Sequence, residues 1–151
     1  MNPHPVTRIT IFGVPVGKGR ARSTRDGRHY TPAKTRAYED QVRMLAKLAM
    51  GRAPPHEGPV ALTLGIFLPV PQSWAQWKRD AALSGAVLPT GKPDADNCAK
   101  AIMDGCNGLV WSDDAQVVSL TVTKAYATDP RVEVTAEPLP CLSANVTRRA
   151  A

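Results

Sequence analysis

Cysteine is scarce in this chain. There are three in 151 residues and no C-x-x-C pair, which removes the usual basis for a zinc site. Cys98 and Cys106 stand eight apart. On one helix that separates them by about 12 Å of rise, too far for a disulfide. Both read as small core residues, with Cys141 a free thiol in a polar tail. No apolar run approaches the roughly 18–20 residues of a membrane helix. The start, MNPHPVTRITIFG, lacks the apolar stretch of a signal peptide, so a cytoplasmic location is the expectation. The G-x-x-x-x-G-K-[ST] phosphate loop is missing too. Acids are the minority charge, 13 against 19 Lys plus Arg, giving a formal net charge of +6. That balance favours an anionic partner, nucleic acid before an acidic membrane.

What is present fits one domain with a real core. Residues 8–14, RITIFGV, alternate as a first strand. Thr31-Pro32 reads as an N-cap with proline at the first helical position. The helix would run to about Met50, closed by Gly51. Residues 60–68, VALTLGIFL, predict a strand with Val60, Leu62, Leu64, Ile66 and Leu68 on one face and Ala61, Thr63, Gly65 and Phe67 on the other. Ser73 is placed to cap a helix, WAQWKRDAALSG, whose Trp74 and Trp77 either pack on the body or stack on unpaired bases. Residues 116–126 predict another strand, with Val118, Leu120, Val122, Lys124 and Tyr126 in phase. Lys124 then either snorkels out of the core or reaches toward a shared site. Residues 131–136 predict a last strand, hairpin-paired across ATDP. Residues 1–137 form the expected domain, and the proline-broken polar tail 138–151 is expected to be disordered.

Two stretches carry the charge. Residues 17–29, GKGRARSTRDGRH, hold Lys18, Arg20, Arg22, Arg25 and Arg28 among glycines with a single acid. Arginines there can grip phosphates bidentately. The segment reads as a nucleic-acid backbone contact, with a merely solvated basic loop as the plainer alternative.

Residues 92–114, KPDADNCAKAIMDGCNGLVWSDD, run against that balance, with five aspartates in 23 positions. Clustered acids repel, a cost usually offset by a cation or a shared proton. From about Asp96 the pattern is helical. Ala99, Ile102, Met103, Cys106, Leu109 and Val110 form an apolar stripe, with Asn97, Lys100, Asp104 and Asn107 opposite. Asp94 or Asp96 can cap this helix, but capping does not explain both, nor Asp113 and Asp114.

A turn from the strand-like KPD into the helix can bring Asp94 and Asp96 toward one point, with Asp114 as a third oxygen ligand. Carboxylates without His or Cys suit a hard cation, Mg²⁺ or alternatively Mn²⁺. Such a site supports phosphodiester hydrolysis. Lys100, one turn past Asp96, can then hold the scissile phosphate. A calcium-binding EF-hand loop fails at Cys98 and Ala99, and a D-x-D-x-T phosphatase motif fails at Cys98. A sugar-nucleotide D-x-D site stays open, as does a capping and salt-bridging cluster with no metal.

At these residues the chain resembles the RusA family of Holliday junction resolvases, often carried by phages and prophages. The run that carries the resemblance is K92-P-D94-x-D96-N97-x-x-K100-A-I-x-D104-x-x-N-G-x-V-W111-x-D113-D114-x-Q116-V-V. A basic loop before TPAKTRAYED and Lys124 after the Asp pair are similar as well. The resemblance implies a small α+β domain, a mixed β-sheet packed with helices, acting as a homodimer. It implies Mg²⁺-dependent symmetric nicking of four-way DNA junctions in recombination and repair, with no membrane partner and no protein cofactor. Asp94, Asp96 and Asp114 match the metal-binding catalytic aspartates, Lys100 a lysine required for cleavage, and Asn97 the asparagine beside the acids. Asp104 and Asp113 match without a clear role. Cys98 stands where the family more often has Leu. Other branched or flapped DNA, and an inactive junction-binding protein, are the alternative readings.

Overall fold

The computed structural model describes residues 5–19 and 22–140. Strand β1 (Thr7–Phe12) is followed by a two-residue ribbon, β2 (Arg22–Ser23) and β3 (His29–Tyr30), and helix α1 (Ala33–Met50). Then come β4 (Val60–Pro69), α2 (Gln76–Leu83), α3 (Ala95–Cys106), a 3-10 turn at Asp114–Gln116, β5 (Val117–Ala127) and β6 (Arg131–Pro138). The main sheet runs β1-β6-β4-β5, with β4 and β5 parallel and the other pairs antiparallel. It is therefore an α+β domain with a mixed sheet.

One face of the sheet carries the core. Ile9 and Ile11 of β1, Val60, Leu62 and Leu64 of β4, and Val132, Val134 and Ala136 of β6 are buried beneath α1 and α3. Those alternating positions follow from the two-residue strand period. The helices meet at Gly105, where a Cβ would lie 2.6 Å from Val42 Cγ1, so only glycine permits this approach. Gly51, at φ +56°, closes α1 by donating its N–H to Lys47 O.

Four expectations fail. The hairpin across ATDP does not form, because β4 lies between β5 and β6. The run 60–68 buries one face and half-buries the other, and takes an interior position that the short linker could not reveal. The helix after Ser73 starts only at Gln76, without a side-chain cap. Trp74 stays outside it, edge-on to Tyr126 at 5.5 Å with Lys78 over its ring, while Trp77 is exposed. Finally, Val118 and Leu120 are 63% and 46% exposed, so of the in-phase trio only Val122 packs on the core. A register irregularity between Val60 and Ala61 shifts Val118 out of phase, and β5 is an edge strand with nothing paired on its outer side among the described residues. Thr31 does not cap α1 either; the helix begins one residue later, after Pro32. Cys141 and most of the tail fall outside the described residues.

Candidate active site

The site is read from the two ends of α3. At its start, Asp94 precedes the helix with extended backbone (φ −69°, ψ 144°), and its side chain makes no capping bond. Its one recorded polar contact is long, 3.5 Å from Asn97 Nδ2 to Asp94 Oδ2. Asp96 lies in the first turn and Lys100 one turn on; all three are exposed. Among the described residues none of the three has an ion-pair partner. The capping explanation of this acid pair is thus not used at Asp94, and its oxygens face solvent.

Beneath them lies Cys98, 2% exposed. Burial pushes its thiol up to about 11, with Asp94 and Asp96 adding to the rise and Lys124 opposing it. One thiol that senses all three groups places Lys124 of β5 near the acid pair. Lys124 Nζ donates to Gly91 O at 2.7 Å, fixing the approach to the motif. Lys124 is therefore in the neighbourhood, with its ammonium directed at the loop.

The other end of α3 is built differently. Asp113 Oδ1 accepts from Ala115 N–H at 3.0 Å, and Gln116 Oε1 accepts from Asp113 N–H at 2.9 Å, a reciprocal capping box on the 3-10 turn. Gln116 Nε2 also donates to His56 O and Gly58 O, at 2.8 and 2.9 Å. The fully buried Trp111 gives its indole N–H to Asp114 Oδ1 at 2.7 Å. Asp113 thus shapes the turn, and Trp111 orients the Asp114 carboxylate. Cys106, close by, is pushed up to about 12 by burial first and by Asp114 second, offset by Arg43.

Twelve helical residues separate the two groups, about 17 Å of rise. Among the described residues, no three Asp, Glu, His or Cys side chains stand together where they could hold one metal ion. The structure brings Asp94, Asp96, Lys100, Asn97 and Lys124 to one end of α3, and it leaves Asp114 at the other.

The basic loop is tied to the same helix. Lys18 N–H donates to Asn97 O at 3.0 Å. A Cβ on Gly17 would meet Pro93 and Asn97 at 3.1 and 3.3 Å. The Lys18 ammonium donates to Asp104 and makes a charge contact with Glu39 at 3.2 Å. The Asp104 carboxylate beside it holds that ammonium above the ordinary lysine range. Lys18 is thereby an anchor between loop, α1 and α3, and Asp104 has a structural partner. Arg25 and Arg28 are exposed on the ribbon connecting β2 and β3, turned by Gly27 at φ +76°. Arg22 lies in β2, and Arg20 falls outside the described residues.

Lys34 and Lys92, which the sequence motifs contain without assigning them a role, line a cavity beside Asp94. Gln116 and Trp111 were visible only as motif letters. Their roles depend on partners 60 and 3 positions away, and the first of these no local pattern reports.

An exposed acid pair with a lysine one turn on, flanked by a basic arm on an α+β scaffold, is a surface whose charges suit the class of proteins that handle phosphodiesters. The comparisons with known proteins give that class its particular form. The family described as Endodeoxyribonuclease RusA matches residues 13–137. A curated relative, "Uncharacterized protein YqaN" of Bacillus subtilis (strain 168), is 37% identical over 132 residues, which cover 84% of this chain and 92% of that protein. The chain belongs to the RusA endodeoxyribonuclease family.

Proposed function

We propose that the protein is a Mg²⁺-dependent, structure-selective endodeoxyribonuclease that resolves four-way DNA junctions by paired, symmetric nicks in recombination and repair, inside the cytoplasm. The observation that carries this reading is the uncapped, solvent-facing pair Asp94 and Asp96 beside Lys100, in a chain of this family. An oxygen-only donor set suits Mg²⁺ or Mn²⁺. Asp94 and Asp96 would hold the ion, which when bound supplies an activated water and charge neutralisation at the leaving oxygen. Lys100 orients the scissile phosphate. Asn97, Arg25 and Arg28, with the neighbouring Arg20 and Arg22, contact the DNA backbone.

The working unit in this reading is a homodimer. Its support is the edge of β5, which pairs with nothing on its outer side among the described residues and leaves Val118 and Leu120 uncovered. An open edge with exposed apolar side chains favours pairing with another chain. This edge begins at the Asp114 turn. A second copy docked there by a twofold axis would let Asp114 of each chain join the acid pair of the other, which explains why one chain alone does not assemble three carboxylates. Leu120→Lys should then yield monomers in light scattering and lose cleavage; a dimer that survives this change rejects the surface.

The direct test compares cleavage of four-way junction, fork, flap and duplex substrates, with Mg²⁺ and with EDTA. Preferred, Mg²⁺-dependent cutting of the junction in opposed strands supports the proposal. Equal cutting of all branched substrates supports a general branch nuclease instead, and tight binding without nicking under Mg²⁺ or Mn²⁺ supports an inactive binding protein.

A further inference from the structure

Beside the acid pair lies a cavity of about 590 Å³, between the segment that follows β1, the start of α1 and the approach to α3. Val14, Pro32 and Pro93 give it apolar walls, Lys34 and Lys92 line it as exposed cations, and Asp94 borders it. Neither lysine has an ion-pair partner among the described residues. The cavity is also firmly built. Its floor is the close crossing of Gly17 over Pro93 and Asn97, fastened by the Lys18 N–H to Asn97 O bond.

From this we infer that the cavity takes one unstacked nucleotide of the DNA strand, next to the phosphate that is cut. The inference rests on the nuclease reading above and adds how branched DNA is selected. The volume lies within the roughly 300–1,000 Å³ of pockets that enclose small ligands. A base held in duplex by pairing and stacking is not available to the cavity, whereas a nucleotide turned out of the helix is. The proline and valine walls offer flat apolar contact to a base, and Lys34 and Lys92 offer charge to its phosphate. Turning a nucleotide out costs least where it already lacks a pairing or stacking neighbour. Strand-exchange points supply such nucleotides and continuous duplex does not. The pocket thus favours branched DNA without reading its sequence. Lys34 and Lys92 are binding residues in this scheme, separate from the groups that act on the scissile bond.

The test places 2-aminopurine, one position at a time, at the nucleotides flanking the mapped cut in a four-way junction, with full-length protein in EDTA. A several-fold rise in its fluorescence on binding at one flanking position is expected. Val14→Phe, which fills the apolar wall, and the double variant K34E/K92E should each remove the rise. In Mg²⁺ both should lower the preference for junction over duplex by about tenfold or more. Circular dichroism checks that both variants fold, and the exposed positions make this the expected result. A wild-type chain that cuts the junction but gives no rise at any flanking position overturns the pocket alone. So does a rise undiminished in both variants. A chain that neither binds nor cuts branched DNA overturns the nuclease reading along with it.

Discussion

The two ends of α3 carry the same kind of residue and treat it in opposite ways. At the start, Asp94 and Asp96 lie exposed, uncapped and without ion pairs among the described residues. Beyond the far end, Asp113 and Asp114 spend their oxygens on the protein, one on a capping box and one on a buried indole. The first arrangement does nothing evident for the fold and keeps lone pairs available. The second builds the turn that leads into β5. Acids grouped by sequence therefore divide by what holds them: solvent at the start of α3, the fold itself beyond its far end.

The largest effect that can test this division is on cleavage. Asp96→Asn removes a charge without changing shape, so cutting should fall by roughly a hundredfold or more, while junction binding and thermal midpoint stay unchanged. Asp114→Ala should also abolish cutting, but it strands the Trp111 N–H in the core and lowers stability by about 1–3 kcal/mol. Cleavage assays and melting curves on the two variants separate the ends. An Asp96→Asn protein that still cuts would sink the metal assignment.

Next in size is Gln116→Ala. It removes the Gln116 hydrogen bonds to the carbonyls of His56 and Gly58 and from the N–H of Asp113. A loss of about 2 kcal/mol is expected by urea denaturation. Asp113→Ala should cost less, about 1 kcal/mol, the usual worth of an N-cap. Asp94→Asn is the matched control at the other end and should leave stability level or slightly raised, because it relieves repulsion from Asp96. If Asp94→Asn destabilises as much as Asp113→Ala, the contrast between the ends breaks.

Much of this was legible in the sequence, for physical reasons that can be named. The alternation in β1, β4 and β6 and the apolar stripe of α3 report burial directly, because one face meets the core. Sheet order was not legible: nothing in ATDP says that β4 will insert between its two neighbours. Exposure of Leu120 was equally hidden, since it depends on β5 taking the edge of the sheet. At the site, Asp94, Asp96 and Lys100 are local neighbours on one helix end, so spacing placed them together. Asp114 comes after the whole length of that helix, and spacing could not show that it ends up at the opposite end. The basic company of Lys18 points to DNA, and nothing in that stretch reports its partners Glu39 and Asp104, which come from two other elements.

The smallest effect concerns pH and compares the thiols under the two ends. Cys98 is raised from 9.0 to about 11 and Cys106 from 9.0 to about 12, each chiefly by burial. In the unfolded chain both ionise near 9, while in the native state both stay protonated. The unfolded state therefore gains relative stability as pH rises above 9, and folding stability falls with pH over that window. At pH 9.5 the loss is somewhat under 1 kcal/mol per thiol, taking about 1.4 kcal/mol per unit of full ionisation. Cys98→Ala should flatten the decline only up to about pH 11, and Cys106→Ala up to about pH 12, each measured against its own stability at pH 7. The wider window belongs to Cys106 because it is the more deeply buried and lies at the end of α3 already closed by Trp111, whereas Cys98 sits under the open end, with Lys124 near enough to favour its ionised form. Identical alkaline profiles for the two variants would mean that the two ends are equally enclosed.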